Sequence, residues 1–284
     1  MVRTVDPAQP AQRPAALLLT GAAGTLGRAL APALEAWLGG AARFVLSDLP
    51  GPLAALPPDL APGAERKACE LADGDGVHAL LDGIDAVVHL GGVAIEGPFE
   101  PILEANVRGM HHLYEAARRR GTRRIVFASS NHVVGLWPRG TQLAEHDPPR
   151  PDGNYGLSKL FGEGLGSLYW HRYGIETVVL RIGTATPTPP DRRGLSTWIS
   201  PGDLVRLVTA ALTARDVGFT IAWGISRNTR RWWNAEAGWA RIGYAPQDDA
   251  EAHAAQVASR ELPAGPQTEL QGGSFLGIGP FDEP

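Results

Sequence analysis

The stretch ALLLTGAAGTLGRAL, residues 16–30, constrains this chain more than any other. An apolar run of strand length meets three glycines, Gly21, Gly24 and Gly27, and then a helical pattern. A strand feeding a helix through a tight glycine turn is the opening unit of a doubly wound α/β sheet. There glycine lets the backbone turn sharply and approach a pyrophosphate, and the unpaired N–H groups of the helix start favour an anion. Thr20 is placed to close the turn. The spacing is G-x-x-G-x-x-G rather than G-x-G-x-x-G, so the motif needs support from elsewhere. Asp48 supplies it. It closes a second apolar run, RFVLSD, 21 residues after Gly27, where an acid accepts hydrogen bonds from ribose hydroxyls. That acid would repel a 2′-phosphate, and the following LPGPLAAL carries no Arg or Lys, which selects NAD over NADP.

Strand-like runs recur at KACEL (67–71), DAVVHLGG (85–92), RIVFASS (124–130), TVVLRIG (177–183) and GFTIAWGIS (218–226). Helical patterns alternate with them over about 24–38, 76–81, 101–120, 153–173 and 201–213, and the proline-rich GPLAALPPDLAPG (51–63) reads as loop. Near-continuously apolar strands are those covered by helices on both faces. The fold expected is therefore α/β: a Rossmann-like doubly wound parallel sheet with a small irregular C-terminal substrate-binding segment. Residues 1–14, rich in Pro, Gln and Ala, read as a disordered extension. Residues 15–183 read as the dinucleotide-binding core, and 184–284 as a smaller part of the same domain covering the carboxyl ends of the strands. Trp232, Trp233 and Trp239 read as core rather than as a sugar platform.

Composition narrows the function classes. The formal net charge is −4 and no block of five like charges occurs, which argues against a nucleic-acid surface. Arg118–Arg120 close a predicted helix, where its dipole favours cations. No apolar run reaches the roughly 18 residues of a membrane span. A single cysteine, Cys69, gives no internal disulfide framework and fits a reducing compartment. With no export signal in the sequence, the cytoplasm is the expected location. The histidines fall in no metal-ligand spacing, so no metal is expected.

The chemistry is carried by YGLSK and FASSNH. Tyr155 and Lys159 stand at i and i+4 and share a helix face. An ammonium beside a phenol stabilises the phenolate and lowers its pKa, as a general base near neutral pH requires. Ser130 ends a predicted strand at the sheet edge where such folds bind ligands.

Together these residues resemble the extended branch of the short-chain dehydrogenase/reductase superfamily. That branch carries T-G-x-x-G-x-x-G, an acid ending the second strand, and a Ser–Tyr–Lys set with a helix Asn, matched here by Gly21, Gly24, Gly27, Asp48, Ser130, Tyr155, Lys159 and Asn106. The stretches HLGG, PFEPILEANVRG, LYEAAR, RIVFASSNHVVG, RPDGNYGLSK, RIGTATPTP, LSTW and QGGSF resemble the uronate (aldohexuronate) dehydrogenases, from about Ala16 to Phe275.

The resemblance implies NAD, bound by Gly21, Gly24, Thr25, Leu26, Gly27, Asp48, Glu70, Leu71, Leu90, Gly91, Gly92 and Lys159. It implies oxidation of the anomeric carbon of a cyclic hexuronate, galacturonate or glucuronate, to an aldaric acid lactone. Tyr155 would take the proton of the anomeric hydroxyl, Ser130 would hold that oxygen, and hydride would pass to the nicotinamide. Asn106 would position a water next to Lys159; on the residues alone it reads equally as a packing or helix-kinking Asn. Substrate contacts would come from Ser130, Asn131, His132, Tyr155, Thr184, Arg193 and Phe275. A guanidinium fork holds a carboxylate bidentately. Arg192 and Arg193 serve equally on physics alone, and the family position selects Arg193.

Three residues depart from the family pattern: Glu70 for Asp, Ala94 for Ser and Thr184 for Ser. Relatives also pair through the helices here placed at 101–120 and 153–173, which implies a homo-oligomer. Competing readings are a nucleotide-sugar epimerase, disfavoured by the short C-terminal part, a dehydratase, disfavoured by the lack of an extra acid pair beside Ser130, and a non-catalytic NAD sensor, disfavoured by retention of Ser130, Tyr155 and Lys159.

Overall fold

Five consecutive buried residues form β1 (Ala16–Thr20), with parallel partners on both sides, β2 (Arg43–Asp48) and β4 (Ala86–His89). The computed structural model describes residues 13–261 and 263–281, so most of the extension expected at 1–14 lies outside the described residues. With β3 (Glu65–Ala68), β5 (Arg124–Ser130), β6 (Glu176–Ile182) and β9 (Phe219–Gly224) the sheet has seven parallel strands in the order β3-β2-β1-β4-β5-β6-β9. The order reverses direction between β1 and β4, and the crevice beyond their carboxyl ends is where this architecture binds ligands.

Alternate residues of each strand enter opposite cores. Leu17 and Leu19 pack with Leu30 and Leu34 of α1 (Thr25–Leu38) and with Leu204 and Leu207 of α8 (Pro201–Thr213). Leu18 packs on the other face with Val77 of α3 (Gly74–Leu80), Leu113 of α5 (Gly109–Arg120) and Leu165 of α6 (Asn154–Tyr173). This two-sided burial is why the strands read as continuous apolar runs. Trp223 and Trp233 are fully buried and stack at 4.4 Å, inside the first core.

The structure differs from the sequence reading in four places. The strand expected at 67–71 is β3 at Glu65–Ala68, because pairing with β2 ends at Asp48–Ala68 and residues 69–71 turn into the crevice. The loop expected at 51–63 begins with a short helix, α2 (Pro50–Ala54), which proline tolerates in its first turn. The helix expected at 101–120 starts earlier, at α4 (Phe99–Ile102), and passes through a π-helical turn, Leu103–Arg108, before α5. Beyond β6 the chain also forms a small parallel pair, β7 (Thr184–Ala185) with β8 (Trp198–Ile199), on either side of α7 (Gly194–Thr197). Among the described residues no helix is long and apolar enough to cross a membrane.

Candidate active site

The glycine turn meets its steric demands. Gly21 has φ +69°, and a Cβ there would fall 2.7 Å from the backbone of Leu90 and Gly91. A Cβ at Gly27 would lie 2.3 Å from the Gly21 carbonyl oxygen, so helix and strand approach only through glycine. The N-cap of α1 is Gly24, whose lack of a side chain leaves the first turn without a side-chain acceptor. Thr20 Oγ1 ties β1 to β4, 2.7 Å from His89 Nδ1 and accepting from Gly91 N at 3.3 Å. Burial drives His89 down to about 3, so it is neutral.

This turn opens onto a cleft of about 920 Å³. Gly21, Gly24, Thr25, Leu26, Gly27, Asp48, Glu70, Leu71, Leu90, Gly91, Gly92 and Lys159, all expected to hold the cofactor, line it. Asp48 Oδ2 accepts from Ala23 N and Oδ1 from Leu49 N, both at 2.8 Å, which fixes the carboxylate at the cleft wall. Among the described lining residues the carboxylates are Asp48, Glu70 and Glu104, and the only cation is Lys159. The uncapped helix start offers N–H donors to a pyrophosphate, and the acidic wall offers acceptors to ribose hydroxyls. The donor set fits NAD and opposes an added 2′-phosphate.

Ser130, Tyr155 and Lys159 line the same cleft. Ser130 closes β5, accepts from His132 N at 3.2 Å, and starts a 3₁₀ turn, Asn131–Val134, that brings Asn131 and His132 round beside it. Lys159 Nζ donates to the Ala128 carbonyl at 2.9 Å and lies 5.5 Å from the Tyr155 ring. Burial lowers this lysine to about 8. Burial also raises Tyr155 to about 12, against the opposing effect of a hydrogen bond with Ser130. Burial therefore outweighs the Ser130 hydrogen bond in setting this phenol.

Asn106 lies outside the cleft wall, on the π-helical turn. Its Oδ1 accepts from Val93 N at 2.7 Å, and its Nδ2 donates to Val93 O at 3.0 Å and to Ser158 Oγ at 2.9 Å. It clamps the loop after β4 to α6. Glu96 of the same loop makes a second clamp that no motif marks in the sequence. Its Oε1 and Oε2 accept from Asn154 N and Tyr155 N, each at 2.9 Å, capping the helix that carries Tyr155. Gly153 has no side chain to make that cap, and a Cβ there would lie 2.2 Å from Glu96 Oε2.

The remaining expected substrate contacts gather at one end of this site. His132 stacks on Phe275 at 3.9 Å, and both rings stand edge-on to Tyr155 at 5.8 Å. Arg193 Nη1 donates to Thr184 Oγ1 at 3.2 Å, and Nη2 lies 2.9 Å from Asn131 Oδ1 when that amide is oriented to satisfy its neighbours. Burial lowers Arg193 to about 10, still charged at neutral pH. The expected bidentate fork is not free. The Gln271 carbonyl, from the segment that carries Phe275, takes the Nε and Nη2 edge at 3.0 and 2.6 Å. Of the five guanidinium hydrogens, one on Nη1 is left for an incoming acceptor. Arg192 instead pairs with Glu261 at 2.6 Å on the surface. Ala94 and Glu70, the two larger departures, both line the cleft.

Residues 17–200 match the NAD dependent epimerase/dehydratase family. The chain is 46% identical over 269 residues to the uronate dehydrogenase of Pseudomonas syringae pv. tomato, covering 94% of this chain and 95% of that protein. Its fold is similar to the crystal structure of uronate dehydrogenase from Agrobacterium tumefaciens, with a TM-score of 0.86 at 41% identity over 94% of this chain and 98% of that one. It is equally similar to a glucuronic acid dehydrogenase from Chromohalobacter salexigens, with a TM-score of 0.86 at 42% identity over the same shares.

Proposed function

The chain belongs to the NAD-dependent epimerase/dehydratase family and, within it, to the uronate dehydrogenases, and from that membership we propose that it oxidises the anomeric carbon of a cyclic hexuronate to an aldaric acid lactone. The observation that carries this reading is a half-buried guanidinium, Arg193, joined through Asn131 to the strand end that bears Ser130. A neutral sugar gives such a charge nothing to pair with; a carboxylate does.

Tyr155 takes the proton of the anomeric hydroxyl, and Ser130 holds that oxygen while the proton moves. Lys159, fixed on the Ala128 carbonyl, keeps a positive charge beside the phenol. The glycine turn, Asp48 and Lys159 would hold NAD, which would supply the hydride acceptor and a positively charged nicotinamide. Asn131, His132, Thr184 and Phe275 form the wall against which the sugar is oriented, while Asn106 ties the loop after β4 to the helix that carries Lys159. The substrate carboxylate meets the remaining Nη1 hydrogen of Arg193. Two copies pair through the outer face of α4–α6, and the enzyme works in the cytoplasm, a setting that a single free cysteine suits.

The test is NADH formation, followed by ultraviolet absorbance, with galacturonate and glucuronate against galactose and glucose. Turnover confined to the uronates is expected, and Arg193→Ala should raise KM for them by roughly 30-fold, the worth of one charged hydrogen bond. Equal turnover of the neutral sugars overturns the reading.

A further inference from the structure

Asp152 is the buried carboxylate that the reaction above leaves without a task. Its side chain is 1% exposed, and the backbone closes around it. A Cβ at Gly135 would fall 1.9 Å from Oδ2, one at Gly272 2.1 Å from Oδ2, and one at Gly156 3.0 Å from Oδ1. Three glycines from separate segments thus clear its place. Among the described residues Oδ1 has no hydrogen-bond partner, and Oδ2 lies 2.7 Å from His132 Nδ1. A buried carboxylate with an empty oxygen destabilises a fold relative to an apolar residue of similar size. Stability alone therefore does not account for it.

The imidazole is held from every side but one. Asp152 holds Nδ1, Phe275 covers a face at 3.9 Å with the rings 14° apart, and Tyr155 stands edge-on. Among the described residues nothing bonds Nε2, and the side chain remains 10% exposed. A lone pair on Nδ1 would face the carboxylate at 2.7 Å and be repelled. A proton there is attracted instead, which leaves Nε2 with the lone pair.

We propose that Asp152 is a positioning residue that fixes the neutral form of His132 as the Nδ1–H tautomer, so that Nε2 of that form accepts a hydrogen bond from a hydroxyl of the substrate ring. The lock makes this corner of the site selective for a hydrogen-bond donor: a hydroxyl is held, and a ring position carrying hydrogen or fluorine is not. The identity of the ring rests on the uronate reading; the tautomer lock does not.

Histidine-15N-labelled full-length protein reports the tautomer directly by two-dimensional NMR at about pH 8.5, two units above the ordinary histidine pKa. The His132 signal is assigned by its loss in His132→Asn. The parent should show the proton on Nδ1 alone. Asp152→Ala should move it wholly or partly to Nε2, with circular dichroism and NADH affinity unchanged. In kinetics, a monofluoro uronate, whose fluorine cannot donate to Nε2, should lose roughly tenfold in kcat/KM with the parent, and that penalty should shrink in Asp152→Ala, whose Nε2–H can face the fluorine. A parent already protonated on Nε2, an alanine variant that keeps the Nδ1 proton alone, or a fluoro penalty unchanged in that variant each overturn the proposal. A parent that shows the lock but oxidises no uronate overturns the functional reading and leaves the lock standing.

Discussion

At the residue scale the pair Tyr155 and Lys159 is a compromise between stability and reaction. Both are buried, and burial works against the charged form each needs, pushing the phenol up to about 12 and the ammonium down to about 8. A lysine whose folded pKa lies below its unfolded value penalises the fold at low pH. The unfolded chain binds the extra proton between about pH 8 and its ordinary 10.5, so stability rises with pH across that window and the penalty is full below it. Lys159→Met removes that penalty. At pH 7 it should stabilise the protein by about 2 kcal/mol, a Tm some 5 °C higher. The gain should fade as the pH approaches 10, while oxidation falls at least about 100-fold. Calorimetry and steady-state rates across pH check both arms; a variant no more stable than its parent at pH 7 contradicts the account of a strained buried ammonium.

At the element scale, the legible parts of the molecule are those whose signal is local. The glycine turn, Asp48 at the end of β2 and the i, i+4 pairing of Tyr155 with Lys159 each sit within a few residues of the structure they specify, and the sequence placed all of them at one sheet edge. The start of β3 was misplaced because KACEL is the more apolar stretch, yet register with β2 decides the pairing. Arg193 was legible, but the state of its fork was not, since the carbonyl that takes one edge comes from Gln271. Glu96 was invisible for a related reason: its partners are backbone N–H groups, which carry no residue identity. That cap gives a prediction. Glu96→Ala removes both acceptors from the first turn of α6 and should cost about 1–2 kcal/mol of stability. One of the two N–H groups is that of Tyr155 itself, so kcat should fall further than KM for either substrate, and Glu96→Gln, which keeps one carbonyl acceptor, should lie between. A kcat that does not move in the alanine variant removes Glu96 from the positioning of Tyr155.

At the scale of the whole molecule, one helix carries two functions on opposite faces. The inner face of α6 buries Tyr155, Lys159, Gly162, Gly166 and Tyr169 against the sheet and the cleft. Its outer face exposes Leu157, Phe161 and Leu168, at 51%, 40% and 46%, in positions i, i+4 and i+11 that align along the helix. Phe99 of α4 is 40% exposed and Ile95, in the loop that holds the Glu96 cap, 63%. A row of large apolar side chains on one surface helix is unusual for a monomer, and pairing two such helices from each copy buries it. We therefore expect a dimer through α4–α6. Because Tyr155 and Lys159 point the other way, the dimer face and the reaction are separable. The double substitution Leu157→Glu with Phe161→Glu places two like charges per copy across the two-fold axis, where they repel, and exposes them harmlessly in a monomer. Light scattering of the parent should give twice the chain mass of 30.1 kDa and of the variant the chain mass itself, with kcat per chain within about twofold of the parent. A parent that scatters as a monomer ends the dimer proposal. A variant that dissociates and loses all turnover would mean instead that the partner braces α6, and with it the cap that Glu96 makes on Tyr155.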